Sequence, residues 1–131
     1  MGQTLAEIIV IDDDPHFLEY LETLLMRWGY KVWAFHKAKE ALERLYQFPP
    51  QLLITDFYMP DLNGIEVLKA VKDSAKSPPV IGLSGKHERD RLDLMRQLGA
   101  AAVFQKPLDP KKLGAEILRI IERPPRPVVI E

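Results

Sequence analysis

Short runs of apolar residues alternate along the chain with longer segments in which apolar residues recur every three or four positions. The short runs are rich in Ile, Val and Leu and are mostly apolar on both faces, which is typical of strands buried within a parallel sheet. The longer segments have the period of amphipathic helices. The pattern therefore predicts five strands that alternate with five helices.

Five short runs are predicted strands, and the first and third of them lead into carboxylates. They are Glu7–Ile11, Val32–Phe35, the run from Leu52 to Asp56, Val80–Leu83 and a weaker run at Ala101–Phe104. The predicted helical stripes are Phe17, Leu21, Leu24 and Trp28; Ala38, Ala41, Leu42 and Leu45; Ile65, Leu68 and Val71, extending to about Ala75; Leu92, Met95 and Leu98; and Leu113, Ile117, Ile120 and Ile121. Asp14-Pro15 and Asp109-Pro110 indicate helix starts, because aspartate caps a helix and proline suits its first position.

Alternating strands and helices of this kind favour a parallel sheet that is covered by helices on both sides. We predict one α/β domain with the flavodoxin-like doubly wound (βα)5 fold and the strand order 2-1-3-4-5. The domain spans residues 1–123, and the proline-rich residues 124–131 form an extended tail or linker. In this order a ligand site is expected at the carboxyl ends of the first and third strands.

Polar residues stand where four of the predicted strands end. They are Asp12 and Asp13, Asp56, Ser84 and Lys106. Three carboxylates at one edge repel one another unless a cation joins them, and an all-oxygen set suits Mg²⁺ or Mn²⁺. A lysine and a hydroxyl would supply the charge and the donor that an incoming phosphoryl group needs. Because phosphoryl transfer depends largely on positioning and charge neutralisation, this set is sufficient for transfer to an aspartate.

Each of these residues also has a structural interpretation. Asp14 is explained by capping the helix that begins at Pro15. Taken singly, Asp56 and Ser84 are ordinary turn residues and Lys106 is an ordinary exposed charge. The functional interpretation depends on their convergence at one edge of the sheet.

The chain resembles the receiver domains of response regulators in two-component signalling. The resemblance covers roughly residues 7–122. Its motifs are Asp12-Asp13, Asp56 with Met59-Pro60 and Asn63-Gly64, Ser84-Gly85, and Lys106-Pro107. The specificity lies in the order of the five motifs, since no single one identifies the family.

The resemblance implies a phosphoacceptor and a metal site. Asp56 would accept a phosphoryl group from a histidine kinase or a histidine phosphotransfer protein. Asp13 would bind Mg²⁺ directly and Asp12 mainly through water. Asp56 and the backbone carbonyl of Tyr58 would be further ligands.

The resemblance also implies a switch. Ser84 would move toward the phosphoryl group, Lys106 would form an ion pair with it, and the peptide bond before Pro107 would be cis. Val103 departs from the family pattern, because many receivers carry a switching Tyr or Phe at this position. Tyr58 is large for the rim of the pocket, and Lys86 is its expected neighbour.

Composition restricts the partners. The chain has 18 basic and 19 acidic residues and no cysteine, so it offers no strong field for nucleic acid or a membrane surface and no thiol chemistry. We expect a cytoplasmic protein that is no enzyme beyond its own phosphorylation and dephosphorylation. Its output would pass to a downstream protein target or an effector domain outside this sequence, with a homodimer that forms on phosphorylation as a further expectation.

Two other functions fit parts of the pattern. The first is a binding module that keeps the fold without using phosphorylation, held in one state by Val103 and Tyr58. The second is a Mg²⁺-dependent phosphohydrolase that resembles the haloacid dehalogenase class, with Asp12 as the nucleophile. His16 departs from that class, and the chain has no room for a substrate cap.

Overall fold

The computed structural model describes residues 5–85 and 89–122. Within them a parallel sheet has the strand order 2-1-3-4-5, which confirms the predicted fold. The strands are β1 (Glu7–Ile11), β2 (Lys31–Phe35), β3 (Leu52–Asp56), β4 (Val80–Ser84) and β5 (Ala102–Gln105). The helices are α1 (Pro15–Arg27), α2 (Ala38–Gln47), α3 (Gly64–Lys72), α4 (Arg89–Gln97) and α5 (Pro110–Ile117), followed by a π-helical turn at Leu118–Glu122.

Helices cover both faces of the sheet. Alternate residues of β1 point to opposite sides, so Ile8 and Val10 pack with α1 and α5, whereas Ile9 and Ile11 pack with α2, α3 and α4. All four side chains are fully buried. Strands buried on both faces place their polar end residues at the rim of the domain.

The starts of α1 and α5 follow the predicted capping pattern. The Asp14 carboxylate accepts hydrogen bonds from the amides of His16 and Phe17, at 3.0 and 3.5 Å. Asp109 accepts from the first amides of α5 in the same way. These local bonds satisfy N–H groups that have no partner within the helix.

Several boundaries differ from the prediction by one to three residues. The fourth strand extends to Ser84 and the fifth to Gln105, because these two residues pair across the sheet. The third helix ends at Lys72 rather than near Ala75, where the Ser74 hydroxyl donates to the carbonyl of Val71 at 2.5 Å.

The last helix also differs from its prediction. Its α-helical part ends at Ile117, and Ile120 and Ile121 reach the core from the π-helical turn. The predicted tail, residues 124–131, and Lys86 lie outside the described residues. None of the described helices is both long and apolar enough to span a membrane.

Candidate functional site

The sheet brings four strand ends together at its carboxyl edge. β1 and β3 are neighbours, with Ile11 opposite Thr55, so Asp12 emerges beside Asp56. On the other side of β3, Asp56 lies opposite Leu83, one residue before Ser84. The strand register therefore places the predicted acids and the serine along one edge.

The three predicted carboxylates form a cluster. Asp12, Asp13 and Asp56 each offer an oxygen within 4.8 Å of the others. Asp12 is fully buried, the Asp56 side chain is 11% exposed and Asp13 is exposed. The cluster therefore opens to solvent beside Asp13 and Asp56.

Lys106 reaches this cluster from the edge strand β5. Its Nζ atom lies 2.7 Å from Asp12 Oδ2 and 3.2 Å from Asp56 Oδ1. Its backbone amide donates to the carbonyl of Ser84 at 2.8 Å, and the Lys106–Pro107 peptide bond is cis. One lysine is thus shared between two carboxylates that follow different strands.

Burial and mutual repulsion shift the acids of the cluster. Desolvation, together with the charge of Asp12, raises the pKa of Asp56 to about 6, although Lys106 opposes the shift. Desolvation also raises the pKa of Asp12 and outweighs the hydrogen bond from Lys106. At Lys106 desolvation acts to lower the pKa, but the hydrogen bond to Asp12 and the charge of Asp56 raise it. The site therefore carries more negative charge than one ammonium can balance.

The remaining predicted residues lie on β4, on β5 and in the segment after β3. The side chain of Ser84 is fully buried at the end of β4. Tyr58 lies two residues beyond Asp56 and is 45% exposed, with its ring at the edge of the Phe57 ring. Val103 is partly buried and packs beneath α4.

Sequence reasoning missed three contacts around the site. The Lys106 ammonium lies over the ring of Phe17. Arg91 of α4 lies over the rings of Phe57 and Tyr58, at 5.4 and 5.0 Å from their centres. Asp61 accepts hydrogen bonds from the first amides of α2.

Only part of this could have been read from the pattern. Phe17 stands in the first turn of α1, which begins at the site edge, but its place in the helical stripe indicates only packing. Lys37 precedes α2, and its side chain does not cap the helix. A lysine at this position indicates that the first amides of α2 need an acceptor from elsewhere in the chain. Helical periodicity alone gives no signal for the direction of Arg91.

Comparison with known proteins identifies the class to which this fold and edge belong. The sequence profile described as "Response regulator receiver domain" matches residues 8–118, so the chain belongs to the response regulator receiver domain family. The predicted family is confirmed. Receiver domains are signalling domains of two-component systems.

Solved structures agree with this assignment. A response regulator receiver domain protein from Clostridium thermocellum has a TM-score of 0.85 and 30% identity, covering 91% of this chain and 96% of that one. A CheY-like receiver domain protein from Methanospirillum hungatei JF-1 has a TM-score of 0.81 and 28% identity, covering 91% and 95%.

Curated relatives differ in length. The "Alkaline phosphatase synthesis transcriptional regulatory protein PhoP" of Bacillus subtilis is 32% identical over 117 residues, which cover 89% of this chain and 49% of that protein. The "Uncharacterized 14.6 kDa protein in sodA1 3'region" of Leptolyngbya boryana is 35% identical over 126 residues, with 92% of both chains covered. The chain spans about half the length of the first curated relatives it matches.

Proposed function

We propose that this receiver domain accepts a phosphoryl group on Asp56 from a histidine kinase or a histidine phosphotransfer protein. The observation that carries the proposal is the position of Lys106, whose Nζ lies 3.2 Å from Asp56 and 2.7 Å from Asp12 in a cluster of three carboxylates. The chemistry is confined to the chain's own phosphorylation and dephosphorylation.

Exposure and hydrogen bonding favour Asp56 over Asp12 as the nucleophile. Asp12 is fully buried, and its two oxygens accept from Lys106 Nζ and from the amide of Asp14 at 2.9 Å. The Asp56 side chain retains a path to solvent, through which a donor can approach. Asp12 therefore suits a supporting role, which disfavours the phosphohydrolase alternative.

The donor set fits a hard divalent cation. Burial, with a smaller contribution from neighbouring carboxylates, raises the pKa values of Asp56 and Asp12, and every side-chain ligand of the cluster is a carboxylate oxygen. Asp12, Asp13, Asp56 and the backbone carbonyl of Tyr58 would hold Mg²⁺ or Mn²⁺. When bound, the cation would neutralise charge on the phosphoryl oxygens.

The chain's own groups have separate tasks. The Asp56 carboxylate attacks phosphorus while the bond to the donor's phosphohistidine nitrogen breaks. The electron pair of that bond returns to the ring nitrogen, and the histidine leaves as neutral imidazole because its other ring nitrogen carries a proton. The Lys106 ammonium balances charge on the transferred group. The Ser84 hydroxyl, at the end of the neighbouring strand, donates a hydrogen bond to it.

The proposed output is a change at the face formed by α4 and β5. An acyl phosphate carries about two negative charges at neutral pH in place of the single charge of the Asp56 carboxylate, and this change biases a pre-existing equilibrium. Arg91 of α4 lies over Phe57 and Tyr58, the two residues that follow Asp56. This contact supports a link from the acceptor to α4 that needs no aromatic side chain at Val103.

The wider proposal concerns location and partners. We propose a cytoplasmic domain that acts on a downstream protein target or through an effector domain, without contacting nucleic acid itself. Relatives of about twice the length that are named transcriptional regulatory proteins support an effector route. A homodimer that forms on phosphorylation belongs to the same proposal.

The direct test is phosphorylation by acetyl phosphate with Mg²⁺, followed by mapping of the acyl phosphate. We expect one phosphoryl group on Asp56 in the parent protein and none on the Asp56→Asn variant. Label on Asp12 would instead support the phosphohydrolase alternative. Failure of the folded parent to bind phosphate or beryllofluoride would support a binding module that does not use phosphorylation.

A further inference from the structure

The ammonium group of Lys106 is enclosed on three sides. Two sides are the carboxylates of Asp12 and Asp56, at 2.7 and 3.2 Å from Nζ. On the third side the centre of the Phe17 ring lies 4.1 Å from Nζ, with the ammonium over the ring face. This is the shortest of the cation–ring contacts among the described residues.

The start of α1 fixes the position of this ring. Asp14 caps the helix and accepts from the amide of Phe17 at 3.5 Å, which sets the first turn. Side chains of a helix lean toward its N-terminus, and the N-terminus of α1 lies at the carboxyl edge of the sheet. Phe17 is half-buried there, so its ring forms a wall of the site rather than a mobile surface group.

The Lys106 side chain has to extend across the sheet edge to reach the acids, so its position depends on contacts along the way. Lys106 follows the edge strand β5, whereas Asp12 follows β1, and β3 and β4 lie between them. Its side chain, which is 23% exposed, has a long aliphatic stem with many rotamers. An oxygen at the third side would compete for the ammonium, whereas an aromatic face attracts a cation without accepting one of its conventional hydrogen bonds.

We propose that Phe17 is a positioning residue that holds the Lys106 ammonium beside Asp56, ready for the phosphoryl group. The inference rests on the proposed function of Asp56. Phe17 acts through Lys106 and is proposed to touch neither the phosphoryl group nor the metal ion. The ring restricts the Lys106 side chain before the phosphoryl group arrives. Binding the phosphoryl group then costs less side-chain entropy.

The test compares affinity for beryllofluoride, a phosphoryl mimic, in the presence of Mg²⁺. Phe17→Leu keeps an apolar side chain but removes the ring, and we expect binding about fivefold weaker, as for the loss of a partly buried cation–ring contact. Phe17→Tyr retains the ring and should bind within about twofold of the parent protein. Tyr20→Leu removes a neighbouring ring of α1, 5.9 Å from that of Phe17, and should also bind like the parent.

A double-mutant cycle separates positioning from general packing. In a Lys106→Met background, Phe17→Leu should cause no further loss of beryllofluoride affinity, because there is no ammonium to position. An equal loss in both backgrounds would overturn the inference, as would parent-like affinity in Phe17→Leu. If Phe17→Leu does not fold, Phe17→Met, of similar volume, takes its place in the cycle.

The proposed function and this inference fail differently. A folded parent protein that binds no beryllofluoride overturns both. A parent that binds it through Asp56, alongside a Phe17→Leu variant of equal affinity, overturns the positioning role alone.

Discussion

The terminal atoms of Met95 occupy the space that a side chain on Gly82 would fill. A Cβ atom on Gly82 would lie 2.6 Å from Met95 Cε and 2.7 Å from its Sδ. Met95 is fully buried, and its Cε would also lie 3.2 Å from a Cβ on Gly64 at the start of α3. The Met95 side chain of α4 therefore packs against both β4 and the start of α3, in the same core cluster as Val103.

This packing predicts a coupled pair of substitutions. Gly82→Ala should lower the free energy of unfolding by about 1–2 kcal/mol, because Met95 has little room to move. Met95→Ala should cost about 2–4 kcal/mol through the cavity it leaves. The double variant should cost less than the sum of the two, since the new methyl group fills part of that cavity.

Urea denaturation measures these energies. Gly114→Ala is the matched control, since it lies in α5, its Cβ would be 3.3 Å from the half-exposed ring of Trp28, and alanine favours a helix. It should leave stability unchanged or raise it. Strict additivity of Gly82→Ala and Met95→Ala would contradict the assigned packing.

A second prediction concerns Asp61, which connects the loop after Asp56 to the start of α2. Its carboxylate accepts from the amides of Ala38 and Lys39, at 3.1 and 2.9 Å. Asp61→Ala should lower the free energy of unfolding by about 1 kcal/mol, the usual cost of losing a helix cap. Thermal unfolding in buffers of different pH measures the difference.

The sign of its pH dependence follows from the pKa. Desolvation acts to raise the pKa of Asp61, but hydrogen bonds from several backbone amides, those of Lys39 and Ala38 foremost, together lower it below its ordinary value of 3.8. Its contribution is therefore present above about pH 4 and is lost as the pH falls through the folded-state pKa. Asp61→Asn, which keeps an acceptor without a charge, should retain part of the stability and lack this dependence.

The sequence predicted what depends on local chemistry. Asp14-Pro15 and Asp109-Pro110 marked helix starts correctly, because a cap and a first-turn proline act within a few residues. Alternation of buried strands and helices was enough for the strand order, because right-handed crossovers leave few arrangements.

Contacts between residues that are distant along the chain could not be predicted from the sequence. Nothing in the sequence near Gly82 indicates that Met95 replaces its side chain, because the fit is made only when α4 docks on β4. The end of β4 at Ser84 was likewise set by pairing with Gln105. The ring of Phe17 meets Lys106 only after α1 and β5 have folded onto one edge.

A third prediction follows from the repulsion around Asp56. In metal-free protein, Asp56→Asn should raise the free energy of unfolding at pH 7 by about 1–2 kcal/mol, because it removes one charge from a crowded, desolvated cluster. Burial and the charge of Asp12 raise the pKa of Asp56 from 3.8 to about 6. The native state therefore holds this proton more tightly than the unfolded chain does.

The pH profile provides the check. Between about pH 4 and pH 6 the unfolded chain loses this proton first, so the parent protein is destabilised as the pH rises. The advantage of Asp56→Asn should be absent near pH 3, grow through that interval and remain constant above it. A difference that is equally large at pH 3 and pH 7 would point to a packing effect instead.

The fourth prediction separates Mg²⁺ binding from structural support at the cluster. Asp13 is exposed, whereas Asp12 is buried and paired with Lys106. A metal ion that binds only the folded state and is present at a concentration of ten times its Kd adds about 1.4 kcal/mol to the free energy of unfolding. Mg²⁺ should therefore raise the Tm of the parent protein. Asp13→Asn should leave the metal-free Tm unchanged or slightly higher and remove most of the rise.

Asp14→Asn is the matched control for this prediction. Asp14 is an exposed acid beside Asp13, and its role is to cap α1, which asparagine also does well. Asp14→Asn should therefore retain the full Mg²⁺-dependent rise in Tm. If Asp13→Asn and Asp14→Asn lost the rise equally, the effect would reflect general screening of acidic charge and not a ligand position at Asp13.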